Sequence, residues 1–331
     1  MKIAAVFYKH FYIFQILFLL LFFVISNKVR VLAQNEDVIR IDTELQTFDV
    51  AVTDADGKFV RGLQAKDFKV YEDGAERSIE FFEQTNRAGS QRPIAVVFAL
   101  DVSGSMTSAE LEKLRSALRL FIARLSNQNA SFAIMTFGMT VKTLQGFTND
   151  LNKLEKAFDK LLREQNGLST HTYDAIDDAI RLIDRKAPRT RGQLPVKKSV
   201  IVVTDGFPVG DTVAPSLVTE RANKSEISIF TVTLPSFSKM SLAPARKPLP
   251  TPLDVTGLTD KTGGKNVYAT DKDFEPLFRN LAEEVVSTYL IAFYPAEEKR
   301  HNGRFHTVQI EVRNNLSVRQ NRAGFQAEKE R

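Results

Sequence analysis

At 331 residues the chain is long enough for one to three domains, and its 43% hydrophobic and 26% charged residues are the composition of a folded globular protein. The formal charge of +5 does not describe a basic face: residues 1–33 hold Lys2, Lys9, Lys28 and Arg30 and no acid, and without these four the 45 Lys plus Arg fall to 41, against 40 Asp plus Glu. A near-neutral body with interspersed charge argues against a nucleic-acid partner, and the absence of cysteine excludes disulfides and thiolate metal sites.

The N-terminus reads as an export signal. Lys2 and Lys9 precede an apolar run from Phe11 to Ile25 broken only by Gln15, and Val31-Leu32-Ala33 supplies a small-residue cleavage pattern before Gln34. The run of about 15 residues suits a signal better than a membrane span, which needs roughly 20. Lys28 and Arg30 lie between the run and the cut, which keeps open an uncleaved anchor and, with it, contact with a membrane. Residues 1–33 are thus a signal peptide or anchor, and the protein is expected to be exported: periplasmic, on the cell surface or secreted.

Residues 36–88 read as β. Ile39, Ile41, Thr43, Leu45 and Thr47 alternate, then Phe48, Val50 and Val52 continue with the phase slipped by one, which predicts a bulge. Asp54-Ala55-Asp56-Gly57 and Glu72-Asp73-Gly74 are turns between short antiparallel strands. Residues 84–92 read as a linker.

From residue 93 strands alternate with helices. Ile94–Leu100 and Ser199–Val203 are continuous apolar runs, expected of strands covered on both faces. Thr107-Ser108-Ala109-Glu110 is a capping box opening an amphipathic helix with Leu111, Leu114, Leu118, Phe121 and Leu125. Phe132–Phe137, Val141–Phe147, Ile227–Val232 and Asn266–Tyr268 read as strands. Helices are predicted through Leu151–Leu161, Thr172–Ile183, Pro215–Asn223 and Phe274–Val286. Lys197-Lys198 reads as a solvated strand edge, and 235–252, with five prolines, as an irregular loop. This alternation predicts an α/β fold with a doubly wound, mostly parallel, Rossmann-like sheet over residues 93–287. The remainder, 288–331, returns to strands at Thr288–Tyr294, Phe305–Arg313 and Leu316–Arg319. Three terminal strands alone bury too little to be stable, so 36–88 and 288–331 are expected to pair into one β-sandwich-like unit with the α/β region inserted between them.

Three separated pieces carry the chemistry. Asp101-Val102-Ser103-Gly104-Ser105 directly follows the first buried strand, Thr170 lies in a loop before a helix, and Asp205, in Val203-Thr204-Asp205-Gly206, directly follows the second buried strand. Ligands collect beyond the carboxyl ends of the strands in such sheets. Carboxylates and hydroxyls are hard oxygen donors, suited to Mg²⁺, Mn²⁺ or Ca²⁺ rather than to zinc. With few protein charges around it, such an ion stays electron-poor and can accept an acidic group from a partner.

These residues resemble the metal-ion-dependent adhesion site of von Willebrand factor type A domains. Asp101-x-Ser103-x-Ser105, Thr170 followed by Tyr173-Asp174-Ala175, and Val203-Thr204-Asp205-Gly206 occur in the family's order over about residues 93–287. The flanks are similar to those of an exported bacterial group with this domain, of acidobacterial type. The resemblance implies Asp101, Ser103, Ser105, Thr170 and Asp205 as ligands of one divalent cation, Mg²⁺ first and Mn²⁺ or Ca²⁺ otherwise, and a protein partner offering an acidic residue. Leu168-Ser169 stands where the family often has two glycines, which bears on the placement of Thr170.

An enzyme is the main rival. His171 adjoins Thr170 and reads as an exposed loop histidine; there is no Gly-x-Ser-x-Gly elbow, no phosphate loop and no His-Glu-x-x-His. The expected function is therefore binding, with no catalytic residue. A structural envelope protein with a vestigial site and a metal-dependent hydrolase remain the alternatives.

Overall fold

Period-two and fully apolar stretches of this sequence build two kinds of sheet. The structure is a computed structural model describing residues 45–85, 92–103, 108–161, 167, 169–188, 194–234, 250–269, 274–313 and 316–329. The signal or anchor segment, the Thr107 capping residue, Ser105 and most of the proline-rich loop lie outside the described residues.

In chain order the β-rich start comprises β1 (Gln46–Thr53), β2 (Phe68–Glu72), β3 (Ala75–Arg77) and β4 (Phe81–Gln84). The α/β region follows as β5 (Ile94–Asp101), α1 (Ser108–Leu125), β6 (Ala130–Phe137), β7 (Lys142–Thr148), α2 (Leu151–Leu161), α3 (Thr172–Lys186), β8 (Lys197–Thr204), α4 (Pro215–Lys224) and β9 (Ile227–Thr233). It continues through single-turn helices α5 (Pro252–Val255) and α6 (Leu258–Lys261), β10 (Asn266–Tyr268) and α7 (Phe274–Val286). The chain ends in β11 (Tyr289–Phe293), β12 (Phe305–Val312), β13 (Ser317–Gln320) and β14 (Gly324–Gln326).

The six-stranded sheet runs β10-β9-β8-β5-β6-β7, parallel throughout except for β7 at the edge. All eight residues of β5 are buried because helices cover both faces. Val96, Phe98 and Leu100 pack with Leu118, Phe121, Phe278 and Val285 of α1 and α7, whereas Val97 and Ala99 pack with Ile176 and Ile180 of α3 and Val218 of α4. The Phe98 and Phe121 rings meet edge to face at 5.2 Å, a geometry that aromatic quadrupoles favour. The expected α/β class with a doubly wound, mostly parallel sheet is borne out.

The terminal segments form two antiparallel sheets, β13-β1-β11-β4 and β14-β12-β2-β3. Their shared core holds Phe48, Val50, Val52, Tyr289, Ile291 and Phe293 from the first sheet and Phe68, Val70, Val308, Ile310 and Phe325 from the second. The chain leaves this sandwich at β4 and re-enters at β11, and these two strands pair with each other, Gln84 opposite Tyr289. The α/β region is thus an excursion between two neighbouring strands.

The structure corrects three local expectations. The phase slip at Thr47–Phe48 is not a bulge within the described part of β1, whose register against β11 and β13 is unbroken. Instead β1 is buried on both faces: Phe48, Val50 and Val52 face the sandwich core, and Asp49 reaches the base of the α/β region. For the same reason Lys197 is not a solvated edge. It is 1% exposed, with Nζ 3.5 Å from Asp49 Oδ2, because the sandwich covers the amino end of β8. Third, Pro252 is not in irregular chain but opens α5, with Thr251 as N-cap accepting from the Asp254 amide; proline at the first helical position loses no hydrogen bond.

Candidate metal centre

Adjacent parallel strands bring the two aspartates together. Leu100 is in register with Val203, so Asp101 ends β5 opposite Thr204 and next to Asp205. Asp101 is fully buried. Its Oδ1 accepts the Ser103 amide at 2.9 Å and its Oδ2 accepts the Thr204 hydroxyl at 2.8 Å. Asp205 Oδ1 accepts the Phe207 amide at 3.0 Å, so each strand ends in the short turn that an aspartate two residues before an amide creates. Gly206 has φ +85°, and a Cβ on it would lie 2.7 Å from the Thr251 side chain. Only glycine lets the chain turn here.

Burial pushes the Asp101 carboxyl above the usual carboxylate range. The Ser103 hydroxyl and amide and the Thr204 hydroxyl pull it down, and the charge of Asp205 pushes it up again. Two carboxylates are therefore held near one another in a desolvated place. Among the described residues no group of three or more His, Asp or Glu is arranged to hold a metal. A cation at this edge would rest on two carboxylates plus hydroxyls, a donor set that suits a hard ion keeping its own waters.

Thr170 reaches the same edge by a different route. It forms a β-bridge with Val209, N to O at 3.2 and 2.9 Å, in the loop that follows Asp205. The next amide, of His171, donates to the Gly138 carbonyl after β6 at 3.1 Å. Thr170 itself is 4% exposed. Of the five residues expected from sequence, Asp101, Ser103 and Asp205 come together at the ends of β5 and β8, Thr170 is joined to the β8 loop through Val209, and Ser105 lies outside the described residues.

Two residues that the sequence reading quoted within the motifs but gave no role contribute here. Thr204 fixes Asp101 and also accepts the Gly206 amide at 3.2 Å. Asp174 accepts the Thr212 amide at 3.0 Å and the Val213 amide at 2.8 Å, tying the loop after β8 to the first turn of α3. The signal for Thr204 was a hydroxyl among the apolar residues of a buried strand; that for Asp174 was an acid in a helix's first turn, where the helix dipole favours it. His171 is not a freely exposed loop residue, since its Nδ1 lies 3.0 Å from Asp174 Oδ2. Thr204→Val leaves Asp101 Oδ2 buried without that donor and is expected to cost about 1–2 kcal/mol in metal-free urea unfolding; a change within error would show that the bond does not hold the carboxylate.

The family model for the von Willebrand factor type A domain matches residues 95–246. No curated protein sequence matches the chain. By structure the chain is similar to BatB from Bacteroides thetaiotaomicron, at 18% identity, covering 58% of this chain and 97% of that one with a TM-score of 0.42. It is similar to the von Willebrand factor type A protein of Catenulispora acidiphila, at 13% identity, covering 82% and 76% with a TM-score of 0.47. A third likeness is to the pilus adhesin SpaC of Lactobacillus rhamnosus GG in its open conformation, at 12% identity, covering 70% and 36% with a TM-score of 0.43. Residues 95–246 of the chain are accordingly a von Willebrand factor type A domain.

Proposed function

We propose that the protein is an exported adhesion or protein-binding module that holds one divalent cation, Mg²⁺ in the first place, through Asp101, Ser103, Ser105, Thr170 and Asp205, and captures an acidic group of a protein partner there. The observation that carries this is the Asp101–Asp205 pair. Two carboxylates, one fully buried, stand at the carboxyl edge of a parallel sheet with hydroxyl and amide donors around them, and burying such charge is costly unless a cation compensates it. When bound, the cation supplies open coordination positions for an anionic oxygen.

The chain's own part is positioning. The Ser103 amide and Thr204 hydroxyl aim the two oxygens of Asp101, Gly206 permits the turn beside Asp205, and the Val209 bridge holds Thr170 in place. Domains of this type are generally interaction modules rather than enzymes, which supports a binding role. Export rests on the character of residues 1–33; among the described residues no helix is long and apolar enough to cross a membrane.

Thermal unfolding with Mg²⁺, Mn²⁺ or Ca²⁺ against EDTA tests the site. An ion well above its dissociation constant is expected to stabilise the protein by about 1–3 kcal/mol, and Asp101→Ala is expected to abolish the effect. No ion effect in either protein would remove the metal from the mechanism and leave the structural alternative.

A further inference from the structure

Large apolar side chains are exposed at eight described positions, and four of them, Met139, Phe207, Val209 and Val255, lie in the segments that follow β6, β8 and β9 at the carboxyl edge of the sheet. Each is tied to the candidate centre. Phe207 donates its amide to Asp205, and Val209 bridges Thr170. Met139 follows the Gly138 carbonyl that anchors His171, and Val255 belongs to the turn whose Thr251 packs over Gly206. Apolar side chains scattered singly need no explanation, but four on the loops of one sheet edge offer a partner at the polar centre apolar surface to cover.

Beside Thr170 a groove of about 330 Å³ opens between Met139–Val141 and the first turns of α3. Asp174, Asp177 and Asp178 line it, with Arg181 as the one cationic side chain among the described residues of its wall and His171 at its end. Arg181 is held on Asp177 at 2.7 Å, and Arg221, from behind, is on Asp177 at 2.5 Å. Asp174 is held by amides, a hydroxyl and the His171 ring, which orient its charge without a strong cation. Asp178 faces Arg181 and Arg185 as well as Asp174 and Asp177. Among its described lining residues the groove sets three carboxylates against one guanidinium, with Arg221 and Arg185 meeting Asp177 and Asp178 from outside the lining, and Asp174 is left without a strong cation. With the apolar walls at Met139 and Val141 this is complementary to a long basic side chain whose stem is apolar.

We propose that the partner segment docking on this face carries, beside its acidic residue, large apolar side chains that cover Met139, Phe207 and Val209, and a basic residue that enters the groove along α3. The inference rests on the metal-centred reading of the same face and names the chemistry of its partner.

The test is selection of a random dodecapeptide library, displayed on phage, on the immobilised full chain in Mg²⁺, with elution by EDTA. EDTA-eluted peptides are expected to pair Asp or Glu with large apolar residues and to carry Lys or Arg within a few positions. Synthetic versions are expected to bind Met139→Ser/Val209→Ser at least roughly tenfold more weakly, the effect of losing the cover of a single buried apolar side chain. Asp178→Lys is expected to lose the preference for a basic residue. The Mg²⁺-induced rise in unfolding temperature, read on each variant, separates loss of the ion from loss of the rim or groove. EDTA-sensitive peptides that lack the apolar and basic residues, or that bind both variants as tightly as the parent, overturn this inference and leave the metal reading standing. Absence of any EDTA-sensitive peptide overturns both.

Discussion

Asp49→Ala is expected to cost about 3–5 kcal/mol of folding stability at pH 7, the range for removing one partner of a buried ion pair. Asp49 is 7% exposed and takes both Nη atoms of Arg92, Nη2 at 3.0 Å, with Lys197 Nζ at 3.5 Å and the Thr288 hydroxyl at 3.3 Å. Arg92 also donates to the Pro195 carbonyl at 2.7 Å. Without the carboxylate, two cations would remain buried against each other where β1 of the sandwich meets the amino end of β8. The pairing is asymmetric. Burial pushes Asp49 up, but Arg92 and Lys197 more than reverse this and hold it well below the usual carboxylate range. Lys197 is brought down to about 8 by burial, which attraction to Asp49 only partly offsets while Arg92 adds repulsion. The two groups therefore act at opposite ends of the pH scale. Asp49, with its folded value depressed, contributes stability above the ordinary carboxylate pKa of about 3.9, and that share is lost as pH falls below it. Lys197, also depressed, releases its proton earlier in the folded state, so its contribution rises as pH climbs from about 8 toward its ordinary 10.5. Urea unfolding at pH 3, 5, 7 and 9 reads both. The gap between the parent and Asp49→Ala is expected to be widest near neutrality and to narrow at pH 3. A gap under about 1 kcal/mol at pH 7, the worth of an exposed pair, would mean that the cluster is solvated and that the two halves are not joined there.

What could be read from the sequence was what neighbouring residues decide. The run Ile94–Leu100 announces a strand covered on both faces, and its end at Asp101 puts a carboxylate where such sheets bind ligands. Tyr173, Ala175, Ile176, Ala179, Ile180 and Ile183 repeat with the helical period and are all buried on one face of α3. What depended on partners remote in sequence was hidden. Lys197 looked like surface because its counter-charge comes from the first strand of the other sheet. The alternation through Thr47 and Phe48 looked like a bulge because nothing local says that a strand of the sandwich will be covered on its outer face. Thr204 became part of the centre only once the register of β8 on β5 was known. Strand β14, Gly324–Gln326, is too short for periodicity to reveal and is held by its pairing with β12.

Gly264→Ala is expected to destabilise the protein by about 3 kcal/mol, at or beyond the upper end of what an added methylene costs in a packed core. A methyl on Gly264 would overlap the Ile229 carbonyl oxygen and lie 2.5 Å from its carbon. Neither side can yield easily. Ile229 is paired to Val200 in β8, its amide donates to the Thr262 hydroxyl oxygen at 3.2 Å, and two residues on the Thr231 amide donates to the Lys265 carbonyl at 3.0 Å. The turn must move instead, and there the Gly264 carbonyl accepts the guanidinium of Arg319 from β13, which also pairs with Glu284 in α7. One methyl thus disturbs the sheet edge, the sandwich strand and the last helix together. Gly146 is the contrasting position: a Cβ on it meets nothing within 4 Å and its φ is not positive, so Gly146→Ala is expected to be neutral or stabilising by a few tenths of a kcal/mol through the unfolded chain. Calorimetry of both variants decides how tightly the two halves are joined. One transition, lowered in Gly264→Ala and unmoved in Gly146→Ala, is expected if the sandwich and the α/β region unfold as a unit. Two transitions in Gly264→Ala, with only one displaced, would show that the halves fold separately.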